Sequence, residues 1–160
     1  MKFLIEKGES NTLEFKSSAR WDYKQNNVNK VLEQVIVKTV AGFLNADGGK
    51  LIVGVADDGN ILGLDRDYRT LNKKDRDGYE LFLRQLIANA VGKEHSPYIY
   101  FTFHEVDDQD ICLVATEPCH EPVYVKNGND MTFYVRMGNA TQQLNTSEAV
   151  NYISNHWPGK

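Results

Sequence analysis

The chain has 160 residues, 41% hydrophobic and 25% charged, with 18 Lys and Arg against 22 Asp and Glu and a net charge of −4. This is one domain's length, enough to bury roughly 70% of the unfolded chain's surface, and the composition excludes a disordered or fibrous chain. The charge excludes a globally basic nucleic-acid binder but leaves room for a local basic patch. Two cysteines, Cys112 and Cys119, are too few for a disulfide framework and fit a reducing compartment. No apolar run approaches the ~20 residues of a membrane span. The opening Met1–Lys7 meets a charge too soon after its apolar stretch for a signal peptide. A single domain over residues 1–160, cytoplasmic and off the membrane, is expected.

Leu13-Glu14-Phe15-Lys16 alternates like a short half-buried strand, and residues 17–27 read as a polar loop holding Trp21 and Tyr23. Val28, Val31, Leu32, Val35, Ile36, Val40 and Phe43 recur at helical spacing. That helix stops at Asn45-Ala46-Asp47-Gly48-Gly49, where glycine can adopt the left-handed conformation that ends helices. Lys50–Ala56 reads as a strand buried on both faces, Asp57-Asp58-Gly59-Asn60 as a turn, and Ile61–Leu64 as a returning strand. Tyr79, Phe82, Leu83, Leu86, Ile87 and Ala90 form the stripe of a second helix. Tyr98–Val106 and Asp110–Ala115 flank one hairpin turn, and Pro122–Lys126 and Met131–Met137 flank another at Asn127-Gly128-Asn129. A last helix starts near Asn145, which has capping-box spacing with Glu148, and Ala149, Val150 and Ile153 form its buried face. The fold class is a mixed α/β sandwich, with a central mixed sheet and about three helices.

Chemistry concentrates in two places. Glu14 faces away from Leu13 and Phe15, beside Lys16, and a straight strand would put Glu9 on the opposite face. The two carboxylates meet only if Gly8-Glu9-Ser10-Asn11 bends, which that composition permits. Asp57, with Asp58 as its understudy, sits at the C-terminal end of a buried strand, a usual location for sites in sheets with parallel strands. Gathered together, three carboxylates would suit Mg2+ or Mn2+, and such a metal can polarise a phosphoryl oxygen. Each acid also has an ordinary reading: a solvated turn, the exposed half of a strand, a hairpin turn.

Lys16, Arg20 and Lys24 follow the first acidic block and could contact phosphates. Arg66, Arg69, Lys73, Lys74 and Arg76 are diluted by Asp65, Asp67, Asp75 and Asp77 and read as a solvated mixed surface. Arg136, next to Gly138-Asn139, could take a phosphate oxygen pair or form a structural ion pair with one of the acids. Trp21 and Tyr23 could stack on unpaired bases or, more plainly, anchor their loop on the core. His104, Cys112, Cys119 and His120 lack the paired spacing of a zinc site. No phosphate-cradling loop for a nucleotide cofactor and no nucleophilic triad can be found.

These residues also carry a resemblance. Glu9-Ser10 through Leu13-Glu14-Phe15-Lys16 resembles the E-S-x-x-x-E-F-K segment of Schlafen-type, AlbA-like DNA-binding domains. Ala41 to Gly49 resembles that family's A-F-x-N-x-x-G-G, and Leu51–Gly59 with Ile61–Leu64 its G-V-x-D-x-G-x-x-x-G. Phe133 to Thr141 is similar to its Y-x-R-x-G-x-x-T. The four blocks stand in the family's order over residues 9–141.

The resemblance implies function. The family's nucleases cut structured RNA such as tRNA, using three carboxylates and a divalent cation, and Glu9, Glu14 and Asp57 match those positions. On that basis they are the candidate catalytic and metal-holding residues, with Mg2+ or Mn2+ as cofactor. Lys16, Arg20, Lys24, Arg136, Asn139 and Thr141 are the candidate contacts to RNA or DNA. Other bacterial members are DNA-binding or regulatory modules, which is the rival expectation, and a protein-interaction module is a third. The structural zinc of Schlafen proteins has no matching motif here, so zinc is not expected. Schlafen cores have two related lobes and this chain has the length of one, so a homodimer is expected to rebuild the groove.

Overall fold

The computed structural model describes residues 1–159. In chain order the elements are α1 (Lys2–Glu6), β1 (Leu13–Lys16), β2 (Trp21–Asp22), β3 (Asn27–Val28), α2 (Lys30–Leu44), β4 (Gly49–Val53), α3 (Asp65–Arg69) and α4 (Arg76–Val91). A 3₁₀ turn (Lys93–Tyr98) then leads to β5 (Ile99–Val106), β6 (Gln109–Thr116), β7 (Tyr124–Asn127), β8 (Asp130–Met137), β9 (Ala140–Leu144) and α5 (Thr146–His156). A four-stranded sheet runs in the order β1-β4-β6-β5, parallel between β1 and β4 and antiparallel elsewhere. A second, antiparallel sheet runs β7-β8-β9, and β2-β3 is a small ribbon. The expected mixed α/β class holds, with three long helices α2, α4 and α5 and shorter helical pieces between them.

α2 is the centre of the molecule. Asn29 caps it by accepting from the Val31 N–H, and Ile36, Val37, Val40, Ala41, Phe43 and Leu44 are fully buried. Each of these side chains except Ala41 contributes about 1.5–3 kcal/mol through burial. The helix lies between the two sheets, packing on β4 and β6 and on β8. At its end the fully buried Asn45 donates to the carbonyls of Val123 and Tyr134 and accepts from the Val123 N–H, each at 2.8 Å. A buried amide is costly only when unpaired. Here it ties α2 to the second sheet. Gly48 then turns the chain at φ +77°, where a Cβ would stand 2.6 Å from the Thr116 carbonyl oxygen; only glycine fits.

Alternation along the strands assigns the faces. Leu51, Val53, Cys112 and Val114 join the core under α2 and α4, while Leu13, Phe15, Ile52 and Ile111 join the core under α1. Glu14 is in register with Leu51, so Glu14 and Lys16 point to the α2 side.

Three expectations need correction, and one strand carried no expectation. Ile61–Leu64 is not a strand; only a Val55–Ile61 bridge forms, because Gly54 at φ +102° bends the chain and its carbonyl accepts from both Leu62 and Gly63. The polar run Ala140–Leu144 is a strand, paired with β8. The 17–27 loop contains the β2-β3 ribbon. The capping box of Asn145 and Glu148 forms as read, but Val150 is exposed, and α5 rests on Phe133, Val135 and Trp157 through Ala149, Tyr152 and Ile153.

Candidate nucleic-acid interface

The bend that the first acidic block requires does form. Ser10 bridges back to Leu13, and the Glu9 carboxylate accepts from the Phe15 N–H at 3.0 Å. This brings the Glu9 and Glu14 carboxyls into a shared hydrogen bond. Glu14 is not the exposed half of a strand. It is 8% exposed, with Lys16 Nζ and Arg136 Nη1 each 3.4 Å from Oε1.

The two carboxyls are shifted in opposite directions. Burial first, and then the hydrogen bond to Glu14, push Glu9 above the ordinary carboxylate value. Burial works to raise Glu14 as well, but the Glu9 hydrogen bond and the charges of Lys16 and Arg136 outweigh it and hold Glu14 below its ordinary value.

Arg136 is the interior partner of that carboxylate. Its side chain is 1% exposed, and Nη2 donates to the Ser10 carbonyl at 2.7 Å and the Leu13 carbonyl at 3.3 Å. Of its two sequence readings, the structural ion pair is the one found. The guanidinium presents no fork to a phosphate, because it is enclosed beneath β1. Arg20 is likewise engaged: Nε lies 3.2 Å from Glu33, and the guanidinium carbon 5.1 Å from the centre of the Phe82 ring.

Asp57 is exposed in the turn after Val55, close enough for its charge to act on Glu9. Among the described residues, no group of three or more His, Cys, Asp and Glu side chains is placed to hold a metal ion. A divalent cation on Glu14 would also stand against Lys16 and Arg136. As they stand, the three acids form no three-ligand site of that kind. For zinc, the nearest approach is a buried His95–Cys119 contact of 3.6 Å, a pair only.

Two clefts flank Lys16. The first, about 460 Å³, is walled by Trp21, Asp22, Tyr23, Lys24 and Asp57, and the second, about 420 Å³, by Glu14, Lys38, Tyr134, Asn139, Thr141 and Gln143. Both include Lys16 and Val35, so they make one groove along α2 and the end of β1. Volumes in the range of ~300–1,000 Å³ suit ligand sites. The groove thus gathers Glu14, Asp57, Lys16, Lys24, Asn139 and Thr141 from the sequence candidates, and leaves Glu9, Arg20 and Arg136 outside its walls.

Two residues were not legible as site residues. Lys38, one turn along α2 from Val35, reaches over the Tyr134 ring at 5.6 Å and has no ion-pair partner among the described residues. Its only signal was its helical spacing from Val35. Asp67, which reads as solvated, is 1% exposed and accepts from the N–H groups of Ala19 at 2.7 Å, Arg20 at 3.3 Å and Trp21 at 2.9 Å. The Tyr79 hydroxyl donates to it at 2.5 Å, and burial together with that carboxylate pushes the phenol well above its ordinary value. Asp67 thereby anchors the segment that carries Trp21 and Tyr23. Its partners in that segment lie 46 to 48 residues away, so no local pattern could have shown it.

Comparison with known proteins bears on the fold and the family. No curated protein matches the chain. The crystal structure of the DIP2311 protein from Corynebacterium diphtheriae is similar at 21% identity and a TM-score of 0.60, over 91% of this chain and 27% of that one. This chain therefore spans 27% of the length of that relative, and the likeness carries the fold. The profile described as Schlafen, AlbA_2 matches residues 9–145, from the acid pair through α2 and β4 to the start of α5, and the chain belongs to that family.

Proposed function

We propose that this domain binds nucleic acid in the groove centred on Lys16. The observation that supports this reading most is the line of Lys24, Lys16 and Lys38 through two joined clefts that also hold Trp21, Tyr23 and Tyr134. A few lysines supply phosphate affinity whatever the net charge. The carboxylate nearest them does not cancel that affinity, since Glu14 is neutralised internally by Arg136 and Lys16. On this reading the acid pair holds the groove wall: Glu9 orders Glu14, Glu14 holds Arg136, and Arg136 joins β8 to the Ser10–Leu13 bend.

Fluorescence anisotropy with labelled RNA and DNA oligonucleotides at low salt tests it. Lys24→Ala and Lys38→Ala should each weaken binding alike across sequences and flatten the log–log salt slope by about one. Loss of neither would overturn the assignment to this groove, and no binding of either nucleic acid would leave the protein-interaction module.

Divalent-metal-dependent cleavage of structured RNA by Glu9, Glu14 and Asp57 is the second reading, favoured by the placement of Glu14 and Asp57 in clefts that meet at Lys16. Incubation with folded tRNA, with Mg2+ or Mn2+ and with chelator, separates the two. Cleavage that needs both the cation and Glu14 would establish the second reading. Intact tRNA under every condition, with binding retained, supports the first.

A further inference from the structure

We infer that the groove takes an unpaired strand and not a duplex, an inference that rests on the nucleic-acid reading above. Three observations carry it. First, the walls carry only a small positive excess: with Glu14 paired to Arg136, Lys16, Lys24 and Lys38 stand against Asp22 and Asp57. A duplex presents one charge per ~1.7 Å and is held mainly by counterion release; these walls offer it little. Second, the groove contains aromatic rings. Tyr23 is 43% exposed, and Trp21 is backed by the Arg66 guanidinium, whose carbon lies 5.7 Å from the ring centre and which is not part of the cleft wall. Stacking on such rings gives affinity without charge, and only an unpaired base has its faces free to stack. Third, the contacts line a recess, whereas reading the base edges of a DNA duplex takes a helix or ribbon that projects into its major groove.

The second cleft adds polar groups suited to base edges or a ribose hydroxyl. Asn139, Thr141 and Gln143 line it. One nucleotide stacks in the aromatic cleft, its phosphate lies at Lys16, and the next nucleotide enters the polar cleft beside Lys38. Asp67 acts at a distance, by fixing the Trp21 segment.

The test compares labelled 12-nucleotide strands, one RNA and one DNA, with the same strands annealed to their complements, by anisotropy over a salt series. Unpaired strands should bind more tightly than duplexes by roughly five- to 150-fold for each stacked base. Their salt slope should be about −2, the value for three phosphate contacts on a single strand. Tyr23→Ala should weaken the unpaired strands at least about fivefold and Tyr23→Phe should restore them, with far-UV circular dichroism unchanged, since Tyr23 lies outside the core. The RNA and DNA arms show whether the polar cleft reads the ribose. Equal or tighter duplex binding, or unpaired binding indifferent to Tyr23→Ala, overturns the inference while leaving the nucleic-acid reading standing. Failure of every strand to bind overturns both.

Discussion

Glu14 can be buried beside a second carboxyl because Lys16 and Arg136 flank it. Removing one member exposes that dependence. Arg136→Ala strands Glu14 in the interior and is expected to lower unfolding free energy by about 3–5 kcal/mol in urea titrations, while Lys126→Ala, on an exposed position of β7, should stay within about 0.5 kcal/mol of wild type. The pH dependence has two limbs. Glu9 is raised in the folded state, so its contribution is present below its ordinary 4.5 and is lost as pH rises through the raised value. Glu14 is lowered, so its contribution is present above its ordinary 4.5 and is lost as pH falls through the lowered value. Glu9→Gln keeps an amide donor toward Glu14 without the titration. Thermal melts across about pH 3 to 8 should show the decline with rising pH disappear in that variant and the decline with falling pH remain. A decline with rising pH that Glu9→Gln leaves unchanged would assign that limb to another group. Asp67→Ala strands the N–H groups of Ala19 and Trp21 and should cost about 2–6 kcal/mol at 1–3 kcal/mol per buried unpaired donor. Asp65→Ala, on the exposed side of the same helix, should change little.

At the scale of elements, the three long helices were legible because each obeys a local rule. α2 and α4 carry their apolar stripes, and α5 carries the Asn145–Glu148 box. Asn145→Ala should therefore cost about 1 kcal/mol, read as a shift in the urea midpoint. The short elements obey no local rule. β9 is Ala-Thr-Gln-Gln-Leu, polar on its open side, and is a strand because β8 offers an edge and the Gly138-Asn139 turn returns the chain to it. α1 and α3 have five residues each, too few for a periodicity to appear. Ile61–Leu64 has strand composition, yet Gly54 and Gly63 at positive φ turn it away from the sheet.

For the whole molecule, net charge −4 says little about where a strand would bind, because the lysines that matter are three among 18 basic residues. The sequence motifs singled out Glu9, Glu14, Asp57 and Lys16, since each lies in an ordered block. They did not reveal that Arg136 faces inward, because burial of a strand residue depends on what packs over it, here β1 and its bend. Lys38 and Asp67 escaped for the same reason. The homodimer expected from the resemblance predicts a doubled mass by light scattering at high protein concentration, and a monomer there removes it. Nuclear magnetic resonance mapping with an unpaired oligonucleotide tests the account most directly. Amide shifts should cluster at residues 16–24, 35–39 and 139–143, on both sides of Lys16. Shifts confined to α4, β5 or the β7-β8 hairpin, with those three segments unmoved, would contradict it.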